Sequence, residues 1–110
     1  MKKFILILIV LAFGVPALAH PPKDISLNVS PAGLEVFVSH PSANISEHFI
    51  KAIRVFLNGE KIADQSFSSQ EMTGQKLSFP VPGLKKGDKI KVQAQCSVYG
   101  TLEKEFSPAD

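Results

Sequence analysis

The chain has 110 residues, with 12 Lys and Arg against 10 Asp and Glu, 45% hydrophobic residues and a single cysteine. That length accommodates one domain with a modest core rather than two. The near balance of charge argues against a nucleic-acid partner, since there is no basic stripe to displace counterions from phosphates; the lone cysteine excludes an internal disulfide, the usual staple of small exported folds.

Lys2 and Lys3 precede an apolar run from Phe4 to Phe13, followed by Gly14, Pro16 and the ending Ala17-Leu18-Ala19. This is the pattern of a cleavable secretory signal of bacterial type, so residues 1–19 are read as a signal peptide and residues 20–110 as the mature domain. The run is too short to cross a bilayer, which takes about 20 apolar residues. No stable membrane insertion is expected after cleavage, and the mature product is expected in the periplasm or outside the cell.

From Ile25 the apolar residues recur with period two: Ile25, Leu27 and Val29, then a Pro31-Ala32-Gly33 turn, then Leu34, Val36 and Val38. Two short strands follow from that spacing. The stretch His48 to Asn58 is apolar on both parities, as a strand covered on both sides would be. Asn58-Gly59 signals a type I′ hairpin, with Glu60 to Phe67 as the returning strand. Gln70 to Gln75 reads as a polar loop. Leu77, Phe79 and Val81 form a strand whose Pro80 and Pro82 place it at a sheet edge, and Gly83 to Asp88 is a turn. Ile90, Val92, Ala94, Cys96 and Val98 alternate without a fault against polar residues, which turns Cys96 inward. Gly100 reverses the chain into a last strand, Thr101 to Phe106. About seven strands and no mature helix predict an all-β fold, an immunoglobulin-like antiparallel β-sandwich.

His20, His40 and His48 all fall at strand ends or loops and none inside a regular apolar face. Cys96 is either a small buried hydrophobe or a thiolate ligand. Imidazole and thiolate together suit a borderline or soft divalent metal and not magnesium or calcium. Lys85, Lys86, Lys89 and Lys91 read as the solvated face of a hairpin or as a docking patch for an acidic electron donor.

His40-Pro41, His48-Phe49-Ile50 leading into a Lys51-Ala52-Ile53-Arg54-Val55 strand, Asn58-Gly59, and Ala94-Gln95-Cys96-Ser97-Val98-Tyr99-Gly100 resemble the iron-binding domain of the desulfoferrodoxin and superoxide reductase family. The resemblance spans nearly the whole mature chain. It implies a mononuclear non-haem Fe(2+) site, held in the family by four histidines and a cysteine, that reduces superoxide to hydrogen peroxide with electrons from an external donor. Carried over residue by residue, it makes His20, His40, His48 and Cys96 metal ligands. The family's last histidine is replaced by Tyr99, either a weak phenolate ligand or a hydrogen-bond donor beside the ion. The family's Glu-Lys pair before the first histidine is replaced by Leu18-Ala19. Cleavage after Ala19 would free the α-amino group of His20, which could bind the metal together with its ring. Two other functions fit these residues: a non-catalytic periplasmic iron or copper binding protein, and a metal-free interaction module on the same fold. No catalytic residue is assigned at this level.

Overall fold

The computed structural model describes residues 21–30 and 33–107. Residues 1–19, read above as a signal, His20, and the Pro31-Ala32 part of the first turn lie outside the described residues.

Seven strands follow in order: β1 (Asp24–Ser30), β2 (Gly33–Ser39), β3 (Ile50–Leu57), β4 (Glu60–Ser66), β5 (Gly74–Phe79), β6 (Ile90–Cys96) and β7 (Thr101–Phe106). They form two sheets, β1-β2-β5 and β4-β3-β6-β7, in which every neighbouring pair is antiparallel. The described residues form an all-β, seven-stranded β-sandwich, and none of them is helical.

The period-two pattern decides what lies between the sheets. Leu34, Val36 and Val38 from β2 meet Ile90, Val92 and Ala94 from β6 and Ile53 and Val55 from β3, all buried in one cluster with Ile25, Ile50 and Cys96. β1 follows its expected face only in part: Ile25 is fully buried, Leu27 is partly covered and Val29 is exposed. β4 is exposed along most of its length, as its mixed polarity predicts for an edge.

Two segments differ from the sequence reading for identifiable reasons. The double-sided apolar pattern of β3 comes from a bulge rather than from a cover on both faces. Ile50 pairs with Cys96 while Ala52 pairs with the next residue, Gln95, so Lys51 is an inserted residue. The insertion switches parity, so that Ile50 faces inward before the bulge and Ile53 and Val55 after it. Phe56 remains on the outer face, where the Lys91 ammonium sits 5.1 Å from its ring centroid. β5 begins at Gly74, inside the expected loop, and ends at Phe79, before Pro80 and Val81. It is an edge strand, as its prolines predicted.

The Asn58-Gly59 hairpin forms as read, with φ of 50° at Asn58 and 89° at Gly59. Asn58 also closes this end of the sandwich. Its amide donates to Asp88 Oδ1 at 3.0 Å, and the Lys85 backbone N–H donates to Asp88 Oδ2 at 2.8 Å. These two bonds hold the Asp88 carboxyl below the usual carboxylate range. Asp24, paired with Lys104, and Asp64, paired with Lys61, are lowered in the same direction.

A lowered folded-state pKa means that the carboxylate stabilises the fold at pH values above the unfolded value of about 3.9, and that this contribution is lost as the pH falls through the lowered value. Denaturant titrations across that acid range are expected to show a weaker pH dependence for Asp88→Asn than for the wild type. Identical slopes would contradict the role given to Asp88.

Candidate metal centre

His40 stands one residue past the end of β2 and extends the inward series Leu34, Val36, Val38 by one more alternation. The reading of the histidines as lying off the apolar faces is thus corrected for this residue: its ring is fully buried. The pairing with the β5 side continues through the His40 N–H, which donates to the Thr73 carbonyl at 3.0 Å. On the opposite sheet Cys96 ends the inward series of β6 in the same way and is only 3% exposed. The two series belong to different sheets and stop at the same end of the sandwich.

His48 comes from the loop between β2 and β3, two residues before the inward-facing Ile50. A turn brackets it, with the Glu47 and His48 N–H groups both donating to the Asn44 carbonyl at 3.1 and 2.8 Å. Ser97 ties this loop to the residue after Cys96. Its hydroxyl accepts from the Phe49 N–H at 3.1 Å and donates to the Glu47 carbonyl at 3.2 Å, and its own N–H donates to the Phe49 carbonyl at 2.7 Å.

These three segments bring one ligand atom each from His40, His48 and Cys96 to within 4.8 Å of one another. The imidazole rings meet edge to face, with centroids 4.7 Å apart and planes at 83°, and Nε2 of each ring is sealed from solvent. Metal bonds to nitrogen and sulfur of ~2.0–2.3 Å let one ion span ligand atoms separated by up to ~4.6 Å, so a small inward movement is enough for all three to share it. The donor set is chemically consistent with iron, copper or zinc. The Cys96 sulfur also accepts the Val98 N–H at 3.4 Å.

Of the five expected site residues, His40, His48 and Cys96 converge. Tyr99 lies in the turn between β6 and β7, is 53% exposed, and among the described residues makes no hydrogen bond to the other three. Val98, expected to prolong the β6 alternation, is also in this turn and exposed. His20 lies outside the described residues, but its neighbour Pro21 packs on Gly100, where an added Cβ would stand 2.6 Å from the Pro21 Cβ. Further along, the Lys23 N–H donates to the Ser39 carbonyl at 2.8 Å. Residues 21–23 therefore run beside both the end of β2 and the turn that follows Cys96.

Sequence reasoning missed Gln70 and Gln75, both buried at this end of the sandwich. Gln70 accepts from the Ile50 N–H at 2.9 Å, and Gln75 donates to the Ile50 carbonyl at 3.2 Å and to the Ser69 carbonyl at 2.7 Å. The backbone of the residue paired with Cys96 is thereby held from both sides. Glutamines in a polar loop carry no periodic signal, so only the folded arrangement shows them to be buried.

No protein-family model and no curated protein sequence matches the chain. Among solved structures, the superoxide reductase from Nanoarchaeum equitans is similar in fold, with a TM-score of 0.50 and 18% sequence identity over 79% of this chain and 90% of that one. The protein thus combines a β-sandwich resembling that of a superoxide reductase with a buried His-His-Cys cluster able to hold a metal ion.

Gly100 and Gly87 have nearly equal φ angles, 92° and 93°, but a Cβ at Gly87 meets nothing within 4 Å. Gly87→Ala is expected to cost the backbone strain alone, roughly 1–2 kcal/mol. Gly100→Ala is expected to cost about 1–3 kcal/mol more, because Pro21 must move. Chemical denaturation of the two variants compares them, and equal losses would show that Pro21 is not seated against the turn.

Proposed function

We propose that the mature protein is an exported mononuclear iron protein that reduces superoxide to hydrogen peroxide. The observation that carries this reading is the convergence of His40, His48 and Cys96 from two sheets and a braced loop, in a sandwich whose fold resembles a superoxide reductase. His40 and His48 would supply neutral imidazole nitrogens, and Cys96 a thiolate whose sulfur accepts the Val98 N–H. His20 would complete the set, through its ring and through its α-amino group once residues 1–19 are removed. Its neighbour Pro21 is already seated against the turn after Cys96.

Iron(II) held by these groups would supply the one electron that superoxide needs, with two protons from solvent completing the peroxide. The described residues include no second redox-active cluster, so the oxidised site must be re-reduced by an external donor. Lys85, Lys86 and Lys89 lie by the Asn58–Asp88 end of the sandwich, at the opposite end of β6 from Cys96, and Lys91 is engaged with Phe56 and Glu103, so this lysine face gives a donor no short route to the ion. Among the described residues, the solvent-facing side of the cluster is formed by the half-buried His48 and the exposed Val98 and Tyr99, while His40 and Cys96 are buried.

A non-catalytic iron or copper carrier is the second reading, favoured by the exposure of Tyr99 at the place where the family has a histidine. One experiment separates the two. The protein beginning at His20 is loaded anaerobically with iron(II), then oxidised and examined for a visible thiolate-to-iron band; the reduced form is mixed with superoxide. Superoxide reduction predicts near-stoichiometric iron, a band absent from Cys96→Ser, and one peroxide formed for each superoxide consumed. Bound metal without superoxide consumption would select the carrier, and failure to bind iron or copper would overturn both.

A further inference from the structure

The Gln70 side chain is the most heavily engaged polar group in the described structure, and nothing about its position in the sequence accounts for it. It lies in the loop before β5, is 5% exposed, and reaches both sheets at the end where the cluster lies. Its Nε2 donates to the carbonyl of His40 and, at 2.9 Å, to that of Glu71. Its Oε1 accepts from the Ile50 N–H at 2.9 Å and stands 2.9 Å from His40 Nδ1.

This network allows only one orientation of the amide. Reversing it would set the NH2 group against the Ile50 N–H, and would set the amide oxygen against the carbonyls of His40 and Glu71. Both arrangements are repulsive and buried, where an unsatisfied polar group costs roughly 1–3 kcal/mol. With Oε1 fixed toward His40, the partner nitrogen must donate, because an amide oxygen has no proton to give. His40 Nδ1 therefore carries the proton in the neutral ring, and Nε2 carries the lone pair.

We propose that Gln70 is a positioning residue for the metal centre, holding His40 as the Nδ1–H tautomer so that Nε2 is presented as the ligand atom. The proposal rests on the reading of His40 as a ligand. It assigns to a neutral amide the task of fixing the ring and its tautomer, which an acceptor on the far nitrogen of a metal-ligating histidine commonly performs. The same amide oxygen holds the Ile50 N–H, opposite Cys96 in the β3–β6 register. One side chain thereby fixes His40 on one sheet and the strand residue beside Cys96 on the other. Ring rotation and tautomer exchange are suppressed before any ion arrives, so ligand preorganisation is built into the apo fold.

Long-range proton–nitrogen NMR of the metal-free protein at about pH 8, above the ordinary imidazole range, reads the tautomer directly. The expected result is a protonated Nδ1 and an unprotonated Nε2 for His40; a protonated Nε2 would overturn the proposal. Gln70→Met removes the acceptor at similar length, and Gln70→Glu retains one. Anaerobic iron(II) titration, on samples shown by thermal unfolding to be folded at the titration temperature, is expected to show ~10–100-fold weaker binding for Gln70→Met. Gln70→Glu keeps an acceptor toward Nδ1 but turns its second oxygen against the His40 and Glu71 carbonyls, so it is expected to keep the Nδ1–H signature at lower stability and with no more than partial recovery of binding. Wild-type affinity and an unchanged His40 tautomer in folded Gln70→Met would overturn the positioning role. A wild type with the Nδ1–H tautomer that binds no metal would instead defeat the reading of His40 as a ligand, and with it the proposed function; loss of that tautomer in folded Gln70→Met would still show that Gln70 sets it.

Discussion

Successive side chains of a strand point to opposite faces, and the site depends on that constraint. β2 delivers Leu34, Val36 and Val38 to the interior and then, one alternation further, His40. β6 delivers Ile90, Val92 and Ala94 and then Cys96. The residues that build the core and the residues that could hold a metal thus belong to the same two series. A register slip of one residue in either strand would turn its ligand outward together with its apolar neighbours, so the hydrophobic pairing that stabilises the sandwich also fixes the geometry of the cluster.

Polar groups at the end of such a core carry a desolvation cost, and the described structure offsets it with specific partners. Gln70 and Gln75 satisfy the backbone of Ile50 and the surrounding carbonyls, and Ser97 joins the His48 loop to the turn after Cys96. The bulge at Lys51 belongs to the same arrangement, because it turns Ile50 toward the core in a strand whose later inward residues have the opposite parity. His48 leads directly into that bulge. Sites built this way are rigid before a ligand arrives, which reduces the ordering cost of binding.

Period two made most of the fold legible in the residues themselves. The faultless alternation from Ile90 to Cys96 gave a central strand with an inward cysteine, and Asn58-Gly59 gave the hairpin in the form observed. The pattern failed where a single residue changes parity, since the Lys51 bulge and a strand covered on both faces produce the same apolar run. It failed again at β5, whose first residues, Gly74 to Lys76, carry no apolar alternation and are strand because they pair with β2. At the site, His40, His48 and Cys96 were identifiable by residue type and by resemblance. Burial of His40 and the roles of Gln70, Gln75 and Ser97 were not, because they depend on contacts 20 to 50 residues apart in sequence.

The most direct test of the central claim, that these segments bind one metal ion through His40, His48 and Cys96, is X-ray absorption at the iron edge of the iron(II)-loaded protein beginning at His20. The account predicts one sulfur neighbour together with at least two imidazole rings, and loss of the sulfur in Cys96→Ser with the imidazoles retained. A wild-type spectrum with no sulfur neighbour, or one unchanged by Cys96→Ser, would contradict it.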